Sequence, residues 1–230
     1  MGLLEGIATT RAIRRYRNEP VPEQALRDML FAATRAPSGS NRQPFRFLVL
    51  TDSEKALQAK QIIQESAQAL WGAKRERDGY DQGSGTDTGS PKARMARTMA
   101  HYVDHFNEVP VLILPCLVRY RDPDPMEGAS LYPAVQNLLL AARGLGYGGV
   151  ITGFHRPVEN ELKALLGIPE EVFIGCTLTL GKPAGQHGPV RRRPMSERVF
   201  GDQWGLAPDW AVDPPGTAYT SAGPPPTARG

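Results

Sequence analysis

Cysteine is scarce in this chain of 230 residues: only Cys116 and Cys176 occur, each inside a hydrophobic, strand-like run. With no C-x-x-C pair and no third thiol, neither a disulfide framework nor a thiolate metal site has support, and two buried free cysteines are expected. Long apolar runs are lacking as well, and nothing approaches the roughly 18 residues of a membrane span. The N-terminus has no basic start followed by an apolar core, so a cytoplasmic protein without a membrane partner is expected. Charge of one sign is not in excess: 27 basic against 24 acidic residues leave a net +3. That is too mild for a nucleic-acid footprint, and Tyr16 is the one aromatic interleaved with the basic clusters. Hydrolytic signatures are absent too. There is no G-x-S-x-G, and His155 and His187 fall in loops without a nucleophile beside them. His101 and His105 lie four apart on a helical stretch, a spacing that suits metal ligands. No H-E-x-x-H and no third ligand accompany them, so packing or surface roles are expected.

What the chain does have is an alternation of helical and strand-like segments at 40% hydrophobic and 22% charged residues, the balance of a globular protein. Leu3, Leu4, Ile7 and Ile13 predict a short helix over residues 3–13 that carries Arg11 and Arg14 on one face, a plausible phosphate clamp. Pro20-Val21-Pro22 breaks the chain and opens a second helix, which buries Ala25, Leu26, Met29, Leu30 and Ala33 and ends before Pro37. A strand over 45–50 and a helix to about Arg77 follow. The stretch 79–90 has almost no apolar content and reads as a mobile loop that could serve as a lid. A helix then runs over 91–106. The strand over 109–118 carries prolines that suggest a sheet edge or irregular ends. Residues 131–142 are apolar on nearly every side, implying a helix at the centre or at a subunit interface, with the interface favoured. A strand or turn near 150–154, a helix over 158–166 and a strand over 172–180 complete a body that spans residues 1–200. The tail, 201–230, is expected to dock its first half through Trp204, Leu206 and Trp210 on its own body or a partner, and to be loose beyond Pro214. The alternation points to α+β or α/β.

Gly144, Gly146 and Gly149 satisfy G-x-G-x-x-G, but here a helix precedes the glycines and a strand follows. A dinucleotide fold needs the reverse order, so these are read as a helix C-cap and a tight turn. The stretch Ala36-Pro37-Ser38-Gly39-Ser40-Asn41-Arg42-Gln43-Pro44-Phe45 is different in kind: a polar loop between core-type segments, where binding residues tend to sit. Two arginine clusters, 11–17 and 191–193, could converge on one phosphate.

These pieces resemble the FMN-dependent nitroreductase family. Thr10-Arg11-Ala12-Ile13-Arg14-Arg15-Tyr16 is similar to its N-terminal R-[RS]-S-V-R-x-[FY] motif, and 36–45 to its A-P-S-x-x-N-x-Q-P-[WF] loop. Gly146-Tyr147-Gly148-Gly149-Val150-Ile151-Thr152-Gly153 is similar to its G-L-G-x-V-W-T-G turn. Gly181-Lys182-Pro183 with Arg192-Arg193-Pro194 is similar to its closing segment. The resemblance implies an α+β fold with a mixed, mainly antiparallel sheet flanked by helices, in an intertwined homodimer that binds FMN noncovalently at its interface. It assigns Arg11, Arg14 and Arg192 to the phosphate or the pyrimidine edge of the flavin. Pro37, Ser38, Asn41 and Gln43 go to the ribityl chain and ring, and the backbone of Thr152 and Gly153 to N5 and O4. Arg191 or Arg193 would compensate where Thr10 and Ala12 depart from the motif. The implied reaction is ping-pong transfer from NADPH or NADH through FMN to a small electron-poor acceptor such as a nitroaromatic or quinone. Reductive dehalogenation, flavin fragmentation or flavin binding without turnover are the alternatives. Substrate choice falls to residues 58–106, where no motif residue is matched.

Overall fold

The computed structural model describes residues 1–220. Its sheet consists of β1 (Phe45–Leu50), β2 (Val111–Val118), β3 (Gly148–Thr152), β4 (Val172–Ile174) and β5 (Thr177–Gly181), in the order β1-β2-β5-β3 with β4 also on β2. Pairings between these strands are antiparallel throughout. The long helices are α1 (Leu3–Thr9), α2 (Glu23–Thr34), α3 (Glu54–Arg77), α4 (Pro91–Asp104), α5 (Tyr132–Gly144) and α6 (Glu159–Leu166). The α+β architecture expected from the sequence is thus the one observed.

β2 explains the layering. Val111, Ile113 and Leu117 belong to a core with α2 and α5, whereas Leu112, Leu114 and Cys116 belong to a second core with α3, α4 and α6. A strand buried on both faces needs a continuous apolar run, and Val-Leu-Ile-Leu-Pro-Cys-Leu-Val supplies one. The proline-based expectation of an edge strand is corrected, because β2 is central and pairs with β1, β4 and β5. Pro115 is tolerated for a local reason. Its carbonyl accepts from Gly175 N at 2.9 Å, so its N–H-free nitrogen points to the same side, into the break between β4 and β5. That break also splits the strand expected over 172–180, and it needs glycine: a Cβ on Gly175 would lie 2.3 Å from Leu131 Cδ2.

One further expectation is corrected. The helix at the N-terminus stops at Thr9, and Arg11 and Arg14 are not helical. Thr10 turns extended, and Ile13 N–H donates to Gly149 O (3.0 Å) while Arg17 N–H donates to Lys182 O (2.8 Å). Ile13 fits a helical spacing by accident; it is buried as part of this extended segment. The apolar helix at 131–142 is central within the protomer, one of the two placements expected for it. Ala134, Val135, Leu138, Leu139 and Ala142 are all covered within the protomer by the first core. Apolar surface is left instead on α1, where Leu4 is 80% exposed, and in the tail, where Trp204 is 79% exposed and Trp210 69%. The tail is tied back by Asp213, whose Oδ2 accepts from Met195 N at 2.8 Å, and by Thr220 N–H to Arg192 O at 3.0 Å. Trp204 meets the Phe200 ring edge-on at 5.1 Å, and both tryptophans keep most of their surface exposed. The expected loose end falls partly on residues 221–230, outside the described residues.

Residues 79–90 are fastened to their neighbours. Asp81 accepts a bidentate pair of hydrogen bonds from Arg75 (2.8 and 2.7 Å), and Tyr80 meets Trp71 edge-on at 5.0 Å. Cys116 and Cys176 are buried and free, and burial pushes their thiols up to about 11 and about 12, so both stay protonated and inert.

His155 is buried between β3 and α6 with Nε2 at 2.8 Å from Ile174 O. Burial lowers its pKa below the ordinary 6.5, and His101 and His187 shift the same way. Below pH 6.5 the unfolded chain therefore binds protons that the fold does not, and stability falls as pH falls from 6.5 toward the depressed folded values. Urea midpoints at pH 8 and pH 5.5 check this. His155→Gln, which keeps a donor for Ile174 O, is expected to flatten the drop; an unchanged drop would assign it elsewhere.

Candidate functional site

The extended segment after α1 lines a wide cleft. A cleft of about 710 Å³ is walled by Arg11, Arg14, Arg94, Arg191 and Arg192, with no carboxylate among its lining residues. A second cleft of about 430 Å³ shares Arg11, Arg14 and Arg94 and adds Arg15 and Arg97. None of these seven arginines enters an ion pair among the described residues, where the salt bridges use other basic side chains. Like charges gathered in this way repel one another, and the arrangement is favourable only with an anion among them. The Nε of Arg14 is buried without a hydrogen-bond partner, a cost a fold does not normally carry for an arginine.

The local chain positions these groups. Ile13 anchors the segment on β3, and Tyr16 hydroxyl donates to Ile13 O at 2.7 Å while lying 2.8 Å from Thr179 Oγ1. Burial raises the pKa of Tyr16 well above its ordinary value, so it stays a neutral anchor. Arg94 and Arg97 come from α4, one turn apart, and the loop 79–90 aims them: Arg94 Nη1 donates to Gly89 O, and Arg97 Nη1 to Thr88 O at 2.9 Å. This is a role other than the lid expected for that loop.

Gly146 ends α5 in the left-handed region, φ +82°. Its N–H donates to Arg143 O and that of Tyr147 to Ala142 O, a Schellman cap that turns the chain directly into β3. This agrees with reading the glycines as a cap and not as a dinucleotide loop. Thr152 closes β3 opposite Thr177, with the two hydroxyls hydrogen-bonded, and Gly153 follows at this edge of the sheet.

The polar loop lies elsewhere. Ser40, Asn41 and Gln43 all have positive φ, between 50° and 52°. Three non-glycine residues in the left-handed region within four positions store strain that the surroundings must hold, as binding loops do. Ser38 Oγ accepts from Gln43 N at 2.9 Å, Gln43 Nε2 donates to Asn41 Oδ1 at 3.2 Å, and Gly39 N donates to Ser130 Oγ at 3.1 Å. Asn41 and Gln43 remain exposed. Because Pro44 O accepts from Val118 N, this loop sits at the Val118 end of β2, whereas Gly181, Tyr16 and the arginines sit at the Val111 end. Seven strand steps of about 3.3 Å put the two groups on the order of 20 Å apart.

Of the sequence-predicted residues, the protomer therefore brings together Arg11, Arg14, Arg191 and Arg192, and keeps Pro37, Ser38, Asn41 and Gln43 as a separate cluster. Thr152 and Gly153 lie at the β3 edge. Arg94 and Arg97 escaped the sequence reading. Arginines three apart on a helix are ordinary solvated residues, and only the folded chain shows that they face Arg11 and Arg14. No group of three metal-ligating side chains occurs among the described residues; His101 and His105 are stacked on each other with ring centroids 4.2 Å apart. For a phosphorylated cofactor the donors present fit: an acid-free arginine cleft, one of whose arginines carries an orphaned buried guanidinium nitrogen.

Comparison with known proteins points the same way. The model of the nitroreductase family matches residues 7–182. A Methanothermobacter thermautotrophicus protein named as an NADH dehydrogenase/NAD(P)H nitroreductase is 28% identical over 210 residues, covering 89% of this chain and 88% of the relative. An iodotyrosine deiodinase of Thermotoga neapolitana is 27% identical over 186 residues, covering 80% and 90%. Among solved structures, one described as a nitroreductase from Desulfovibrio desulfuricans in complex with FMN aligns with a TM-score of 0.62 at 26% identity, over 88% of this chain and 98% of the other.

Proposed function

The chain belongs to the nitroreductase family, and from that premise we propose that it is a homodimeric FMN oxidoreductase that passes electrons from NAD(P)H to a nitroaromatic, a quinone or a similar electron-poor acceptor. The observation that carries this reading is the cleft of unpaired arginines around the buried, partnerless Nε of Arg14. Arg11, Arg191 and Arg192 would hold the phosphate of FMN. Arg14 and Arg94 would supply fixed positive charge to a reduced, anionic ring system, which would favour reduction without a reorganisation cost. What the cofactor supplies when bound is two-electron exchange, taking hydride from a reduced nicotinamide and giving electrons to the acceptor in its place. No side chain need act as general acid or base, in keeping with buried tyrosines and histidines whose pKa shifts all favour the neutral form.

A second copy of the chain completes the site in this proposal. The strained loop 37–43 and the arginine cleft lie at opposite ends of one sheet, so a single cofactor could meet both only if they came from different protomers. The apolar residues left exposed on α1 and at Trp204 and Trp210 are suited to that contact. The purified protein is expected to be a yellow dimer whose visible flavin band bleaches on anaerobic NADPH and returns with a nitroaromatic. A colourless chain that fails to oxidise NADPH when given FMN and acceptor would end the proposal; a yellow chain that NADPH leaves unbleached would identify a flavin carrier instead. The similarity to an iodotyrosine deiodinase supports one further reading, reductive removal of iodide from an iodinated aromatic. Iodide release from 3-iodotyrosine by the reduced protein separates the two.

A further inference from the structure

The arginine cleft does not end at Arg14. On the far side of that side chain a cavity of about 360 Å³ opens between the extended segment and the second half of α4, lined by Arg14, Arg15, His101, His105 and Glu108. Arg94, Arg97, His101 and His105 fall three, four and four positions apart, so they form one stripe along α4. Eleven helical steps of about 1.5 Å make that stripe roughly 16 Å long. The facing wall, residues 11–18, is itself extended and basic, so the two clefts and this cavity form one track that turns at Arg14.

Several features mark the cavity as built for an anion. The Nδ1 of His101 is buried without a partner, as is Arg14 Nε. His101 and His105 stack with an interplanar angle of 23°; His105 Nδ1 is taken up at 2.9 Å by His101 O, which leaves its Nε2 for a ligand. Arg15 has no ion pair among the described residues, whereas Arg17 is already engaged at 3.7 Å by Glu19. Glu108 is the single carboxylate lining the cavity. A phosphate monoester, with its three acceptor oxygens and close to two negative charges, matches such a donor set.

We propose that this cavity is the subsite for the 2′-phosphate of the nucleotide reductant, so that the protein prefers NADPH to NADH. The identity of the nucleotide rests on the proposed function. The nicotinamide must reach the cofactor cleft, and the track of basic side chains leads from there to His105 over a length of the order of a dinucleotide.

The test is calorimetric titration of the purified chain, whatever its flavin content, with 2′,5′-ADP, 5′-AMP and inorganic phosphate. Expected is binding of 2′,5′-ADP about tenfold or more tighter than either of the others. His105→Glu, at an exposed position that tolerates the change, should remove most of that difference, and Arg15→Gln should act in the same direction. In the flavin-loaded protein the ratio of kcat/KM for NADPH to that for NADH should fall by about the same factor. Equal binding of 2′,5′-ADP and 5′-AMP overturns the proposal, as does a difference that survives both substitutions. Inorganic phosphate binding as tightly as 2′,5′-ADP would make the cavity a site for free phosphate and overturn the nucleotide assignment. A chain that takes up no flavin yet shows the expected titration would refute the proposed function and leave the anion subsite standing.

Discussion

Arg14→Ala is expected to purify without flavin colour and to bind added FMN roughly 10- to 100-fold more weakly, the loss that follows from removing a charge-assisted contact of about 1.5–3 kcal/mol. Arg14 is singled out among the seven arginines because it lines all three cavities and because its Nε is buried with no protein partner. The substitution carries a second expectation of opposite sign. In the flavin-free chain Arg14 shares its cavities with Arg11, Arg15 and Arg94 against the single carboxylate of Glu108, so its removal relieves net repulsion and should raise the melting temperature. Thermal melts of the flavin-free parent and variant, together with flavin titration, read both effects. A variant that retains stoichiometric flavin, or one that weakens flavin binding while also lowering the melting temperature of the flavin-free form, would mean that Arg14 serves the fold and not the ligand.

Gly149→Ala is expected to cost more than about 3 kcal/mol, the upper range for forcing atoms into a packed interior. A Cβ at this position would lie 2.4 Å from Thr179 O and 3.2 Å from Leu139 Cδ2. The obstacle is backbone, and it cannot retreat, because β5 is paired on one side with β3 and on the other with β2. The damage would also reach the site. Gly149 O accepts from Ile13 N, the bond that fixes the segment carrying Arg11 and Arg14. Urea denaturation should show a much lower midpoint or no soluble protein, with reduced flavin content in whatever folds. Gly185→Ala, which meets nothing within 4 Å, is the control and should leave the midpoint unchanged. A Gly149→Ala midpoint equal to that of the control would refute the close-approach account.

Legibility varied with how local the determining physics was. α3 could be read almost whole, because Ala56, Ala59, Ile63 and Ala67 repeat at helical spacing and all four are buried. α2 could be read from Pro22 and its apolar stripe. Ile13 misled, since a four-residue apolar pattern cannot reveal that its backbone partner lies 136 positions away at Gly149. Pro115 misled in the same manner: its neighbours on the open side are two short strands with a gap between them, and the gap exists only once β4 and β5 have paired with β2. Asn41 is a residue that tolerates positive φ, but nothing in Ser40 or Gln43 announces the same conformation.

The sequence alone determined the helical and strand periods, the two inert cysteines, the polar loop at 36–45 and, through four motifs in order, the family, because each of these depends on neighbours close in the chain. Only the tertiary structure decided which charges meet. It turned Arg11 and Arg14 off a helix and onto the edge of a sheet, set Arg94 and Arg97 opposite them, and put the polar loop at the far end of β2. Electrostatics acts through space, and side chains 80 residues apart become one anion site only when the packing of α4 against an extended segment brings them together.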